Sequence, residues 1–197
     1  MAGGGVVAIW FGMGYYGGSA WCRRESLMER FTNSLRASVE NQDWYVALAT
    51  ALTLPDVCGR LINPTQGSGA RYSAWFDAWV APGYTANLPH IGTHCFLTGS
   101  DCYALRCSYL HEGVADITQQ RARRALDDFH FIIPPRDGWS IHRNQINNTL
   151  QLQVDQFCLD IADAVDRWSE SVRDDEEVQG RMGSLLMIHN HVPGILY

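Results

Sequence analysis

The chain has 197 residues, a length that suits one ordinary domain with a closed hydrophobic core. With 46% hydrophobic and 18% charged residues it has the composition of a globular protein, which sets aside disordered and fibrous classes. The net charge is −6 and all fifteen basic residues are Arg, so indiscriminate adhesion to nucleic acid through counterion release is disfavoured and any RNA contact must come from a local concentration of Arg.

Residues 1–20, rich in Gly and aromatics, read as a flexible leader. Its apolar stretch, residues 6–14, has no Lys or Arg before it, which argues against a secretory signal. No apolar run approaches the ~18–20 residues that span a bilayer. The six cysteines, Cys22, Cys58, Cys95, Cys102, Cys107 and Cys158, are therefore expected to be reduced, in a cytoplasmic setting and without a membrane partner.

Residues 25–40 carry Leu27, Met28, Phe31, Leu35 and Val39 at intervals of three and four, the spacing of an amphipathic helix. Asp43 is a candidate cap for a second helix whose face holds Trp44, Ala47, Leu48, Ala51 and Leu52. Pro55 predicts a kink or restart, because its ring clashes with the preceding turn. Residues 63–69 read as a loop, and residues 70–80 as a helix with Tyr72, Trp75, Phe76 and Trp79 on one face. Little periodicity marks residues 81–99, expected as a long loop. A capped helix follows over residues 101–112, then a polar helix over 116–128 holding Arg121, Arg123 and Arg124.

Residues 129–133 form a short aromatic and β-branched run, and residues 139–142 and 149–153 are candidate partners for it in a small hairpin-like sheet. Residues 155–172 give the clearest helical period, through Phe157, Cys158, Ile161, Val165, Trp168 and Val172. The predicted class is thus mainly α, with a small accessory β-hairpin or short sheet around 129–153. A single domain is expected over residues 21–175, followed by a loosely held tail over 176–197.

The stretch with chemistry in it is Asp101-Cys-Tyr-Ala-Leu-Arg106-Cys-Ser-Tyr-Leu-His111-Glu-Gly. Thr98 is placed as N-cap with Asp101 at the third helical position, and Gly113 as the left-handed stop. At about 100° per residue, Cys102, Leu105 and Tyr109 share one core-facing stripe. Arg106 and His111 lie about 140° apart on the opposite side, with Tyr103, Cys107 and Leu110 between them. An outward face that mixes a guanidinium, an imidazole and apolar groups fits a functional subunit interface. Spacing alone is also what a solvated Arg and His would show.

This context resembles the HEPN superfamily of helical bundles, whose signature is an Arg, four to six residues, and a His near a helix C-terminus. The match is Arg106-Cys-Ser-Tyr-Leu-His111, closed by Glu112-Gly113; it is sharp over residues 99–113 and general over 25–172. The resemblance implies a HEPN-like domain that acts as a metal-independent endoribonuclease on single-stranded RNA, without cofactor, as a homodimer with a composite site. It also implies a role as a toxin or antiviral effector, with an antitoxin or regulatory protein as a further partner. His111 would be the general acid/base and Arg106 the phosphate clamp, supported by Tyr103, Cys107 and Glu112. The superfamily often has a polar Asn, Asp or His directly after the Arg, where this chain has Cys107. A catalytically silent module that binds RNA or protein therefore stands as the second reading.

Arg121, Arg123 and Arg124 are the candidate RNA-backbone contacts, with a solvated face as the plain alternative. His90, His94, Cys95, Cys102, Cys107 and His111 are close enough in sequence to raise a third reading, a zinc-stabilised structural domain. That reading lacks a CxxC pair, and Cys102 and Cys107 point from different helix faces. His189-Asn190-His191 and the sequon Asn147-Asn148-Thr149 carry no weight on their own. Leu54-Pro55-Asp56-Val57-Cys58-Gly59 has the look of a motif with no role legible in it.

Overall fold

A computed structural model describes residues 26–136 and 138–188. The leader, Cys22 and the His189–His191 triplet lie outside the described residues. The first helix, α1 (Glu29–Glu40), buries Thr32 and Leu35 and lies against α5 (Val154–Ser171), which buries its periodic stripe from Phe157 to Trp168. The helix α2 (Trp44–Ile62) packs on both, and also on α3 (Ser68–Trp79) and α4 (Gly99–Glu112). Trp168, Tyr72, Phe76, Phe157 and Leu52 are fully buried at the centre of this bundle.

Several expectations are corrected. Asp43 does occupy the N-cap of α2, but its side chain makes no capping hydrogen bond. No restart occurs at Pro55: α2 runs through it as one helix. Leu52, Leu54, Pro55, Cys58, Gly59 and Leu61 are all buried there, so tertiary packing holds the helix across the one missing N–H. By length and mean hydropathy α2 is also apolar enough to cross a membrane, contrary to the expectation from the sequence, although half of it is buried within the protein.

The long loop expected over 81–99 contains structure. A 3₁₀ turn (Ala81–Tyr84) leads into an antiparallel hairpin of β1 (Thr85–Leu88) and β2 (Gly92–Cys95). Each strand is only four residues long and neither buries a residue fully, so the apolar signal in the sequence is weak. Conversely, no helix forms over 116–127, which is a series of turns. That segment lacks an apolar stripe, and the Asp101 carboxylate takes the backbone amides of residues 124–126, which a helix would need for itself.

The accessory sheet is present with a different topology. β5 (Thr149–Gln153) lies between β4 (Asn144–Ile146) and β3 (Asp128–Ile132). Its pairing with β3 is parallel, and only β4–β5 forms a hairpin, turning at Asn147, which has φ 54°. Residues 139–142 are not a strand. Nor are residues 176–182 a loose tail. They form α6 (Glu176–Met182), capped by the Asp175 side chain on the Val178 amide at 3.0 Å, and Val178 and Met182 are buried.

Candidate functional site

Local rules set the ends of α4. The Thr98 hydroxyl accepts from the Asp101 amide at 3.2 Å, and Gly113, at φ 75°, closes the helix in the left-handed region where a Cβ would be strained. Cys102 and Leu105 are buried as the stripe predicts, and Asp101, Ala104 and Ser108 join them, so the inward face is wider than expected. Tyr109 is only half-buried, and its hydroxyl donates to the Tyr45 carbonyl at 3.2 Å.

On the other side, Arg106 Nη1 and His111 Nε2 are 3.4 Å apart. Arg offers donors only, so Nε2 is the atom that would accept in this contact. His111 is exposed, whereas the Arg106 side chain is 21% exposed and its Nε is buried without a hydrogen-bond partner. The guanidinium is therefore held in the protein while the imidazole stands at its rim.

What holds Arg106 is Asp56 on α2. Asp56 Oδ2 is 3.7 Å from Arg106 Nη2, and its Oδ1 receives Arg71 Nε and Nη2 from α3 at 2.9 Å each. One carboxylate thus ties two guanidiniums from two different helices. The approach depends on Gly59, since a Cβ at that position would lie 2.7 Å from the Arg71 carbonyl oxygen. This is the role of the Leu54–Gly59 motif: Asp56 supplies charge, Cys58 and Leu54 are buried, and Gly59 lets α3 come close. Sequence reasoning missed Asp56 and Arg71, although the motif was the signal.

The supporting residues do different things. Tyr103 packs on α3, its hydroxyl 2.9 Å from Ser68 Oγ and its ring against Tyr72, so it is not free on the open face as its helical angle suggested. Cys107, directly after the Arg, is half-buried. Glu112 is exposed and accepts from Gln120 Nε2 at 3.4 Å.

The segment after α4 folds back along the helix. Asp101, buried to 1% exposure, receives the amides of Arg124, Ala125 and Leu126 on one oxygen at 2.6, 3.0 and 3.3 Å and the Thr98 hydroxyl on the other at 2.7 Å. Ser108 adds a bond to the Asp116 carbonyl at 2.6 Å. The side chains of Arg121, Arg123 and Arg124 are exposed on this segment. Arg123 is ion-paired with Asp127, which leaves Arg121 and Arg124 without a carboxylate partner among the described residues.

The zinc candidates are dispersed. Cys102 shares a buried contact with the Tyr72 hydroxyl at 3.3 Å, and burial pushes its thiol up to about 12. His94 bonds Gln145 at 2.9 Å, and Cys95 points to the Leu97 carbonyl. Among the described residues no three His, Cys, Asp or Glu side chains are grouped to hold a metal ion. No protein-family model, curated protein or solved structure matches the chain.

Proposed function

We propose that this chain is a metal-independent, HEPN-like endoribonuclease that cuts single-stranded RNA at a composite site on a homodimer interface and acts as a toxin or antiviral effector. The observation that carries the reading is the 3.4 Å approach of Arg106 Nη1 to His111 Nε2 at the exposed end of α4. RNA brings its own nucleophile, so the protein has only to move protons and steady charge. His111 would take the proton of a ribose 2′-hydroxyl as that oxygen attacks phosphorus. The Arg106 guanidinium would bind the non-bridging oxygens and stabilise the charge that grows in the transition state. The P–O5′ bond breaks, leaving a 2′,3′-cyclic phosphate and a 5′-hydroxyl. In a twofold dimer a second His111, in its protonated form, would donate the proton to that leaving oxygen.

Tyr45, whose carbonyl receives the Tyr109 hydroxyl of α4, and Val114, just past the end of that helix, are exposed and would supply apolar area for a subunit contact. Arg121 and Arg124 offer guanidiniums to the RNA backbone in an otherwise acidic protein.

Purified protein incubated with single-stranded RNA in EDTA tests the reading. Cleavage to cyclic-phosphate ends is expected, and Arg106→Ala and His111→Ala should each reduce it by about 10²–10⁴-fold. A folded wild type that binds RNA and never cuts it would replace this reading with that of a silent binding module.

A further inference from the structure

A cavity of about 400 Å³ lies between the 3₁₀ turn after α3, the residues leading into β4, and α5, and none of its lining residues belongs to α4. Two guanidiniums form part of its wall. Arg143 donates to the Gly83 carbonyl and sits over the Tyr84 ring, 5.9 Å from its centroid. Arg167 Nη2 donates to the Trp79 carbonyl at 3.1 Å. Both are thereby steadied on one short stretch of backbone, yet each retains further N–H donors. Among the described residues neither has a carboxylate within ion-pair distance. Arg143 also holds φ 58°, a left-handed backbone where Gly or Asn would be less strained, so its side chain is kept at a cost.

The acidic side chains of the wall are not equivalent. Asp163 is paired with Arg36 at 2.6 Å. Asp160 has no Arg partner among the described residues. Its Oδ2 accepts from the buried Tyr84 hydroxyl at 2.9 Å and lies 3.5 Å from His142 Nε2. His142 is 4% exposed on its side chain, and its Nδ1 accepts the Gln153 amide at 3.3 Å. With Nδ1 accepting, the ring proton belongs on Nε2, an atom that is buried without a hydrogen-bond partner among the described residues. A ring whose Nδ1 lone pair is taken and whose Nε2 is protonated does not ligate a metal. The Tyr84 hydroxyl holds Asp160 through Oδ2, which leaves Oδ1 as an acceptor for a donor group.

We propose that this cavity binds a small phosphate monoester bearing hydroxyl groups, the phosphate on Arg143 and Arg167 and a hydroxyl on Asp160 Oδ1. Two guanidiniums match a dianion. The volume lies within the ~300–1,000 Å³ usual for small-ligand sites and is far more than a bare phosphate fills. The site is separate from Arg106 and His111 and stands whether or not the chain cuts RNA.

Calorimetric titration of the full chain with ribose 5-phosphate, inorganic phosphate and ribose tests it. Ribose 5-phosphate should bind at least about tenfold more tightly than either of the others. Arg143→Gly, which also relieves the positive φ, and Arg167→Gln should each weaken that binding by about tenfold or more. Asp160→Asn, whose one oxygen is taken by Tyr84, should lower ribose 5-phosphate towards inorganic phosphate. No binding to wild type at about 10 mM ribose 5-phosphate overturns the proposal. So does equal affinity for inorganic phosphate, or undiminished binding by folded Arg143→Gly and Arg167→Gln.

Discussion

Asp56 on α2 and Arg106 on α4 stand 3.7 Å apart, and the same carboxylate grips Arg71 on α3. The guanidinium proposed to hold phosphate is thus positioned by a residue on a separate helix. Asp56→Asn keeps an acceptor for Arg71 but removes the charge facing Arg106. RNA cleavage should fall by about tenfold or more through misplacement of the clamp. Stability in urea should fall by about 1–3 kcal/mol, the cost of leaving partly buried donors short of an acceptor. Unchanged cleavage would show that Arg106 does not depend on this partner.

Gly59→Ala should act on the same network without touching its charges. The added Cβ meets backbone, the Arg71 carbonyl oxygen at 2.7 Å, which cannot swing aside as a side chain does. A loss of about 1–3 kcal/mol is expected from forcing α2 and α3 apart. A urea midpoint equal to wild type would mean that the helices separate freely.

Asp101→Ala should release residues 116–127 from α4. Three amides and the Thr98 hydroxyl lose their shared acceptor, and the pocket left behind is buried. The expected cost is about 3 kcal/mol, larger than for Asp101→Asn, which retains one oxygen. Hydrogen exchange at residues 124–126 should accelerate well beyond that of α5; equal protection in both variants would contradict the anchoring role.

Cysteine labelling should follow burial. Burial pushes the Cys58 thiol up, and takes Cys102 and Cys158 to about 12, so these three should resist alkylation in the native protein at neutral pH. Of the five described cysteines, Cys107 and Cys95, both half-buried, should label first when modified peptides are read by mass spectrometry. Early labelling of Cys102 would mean that α4 opens from the core.

The Asp116 carboxylate accepts from the Thr118 amide at 2.7 Å, and this backbone bond holds its pKa below the ordinary carboxylate value. A depressed folded-state value contributes stability that is present above the unfolded pKa and disappears as pH falls through the folded one. Asp116→Asn should therefore flatten the acid side of the stability profile slightly and leave the neutral region little changed. A steeper acid limb in the variant would reverse the assignment.

How far the molecule was legible follows from the range of each interaction. Period and capping are local, so α1, α3, α5 and both ends of α4 could be placed from Thr98, Gly113 and the apolar intervals. The same arithmetic set Arg106 and His111 away from Cys102 and Leu105. It went astray in allowing a restart at Pro55, where buried neighbours outweigh one lost hydrogen bond, and with residues 116–127, where a distant carboxylate competes for the amides.

By itself, then, the sequence determined a mainly α chain and a short capped helix bearing an Arg and a His, because those properties are written in residues a few positions apart. Tertiary structure alone decided that Asp56 and Arg71 share the Arg106 site, that β3 pairs in parallel with β5, and that Arg143, Asp160 and Arg167 wall one cavity. Those partnerships join segments far apart in the chain. Charge and hydrogen-bond complementarity between such segments leaves no periodic trace, and it exists only once the core has closed.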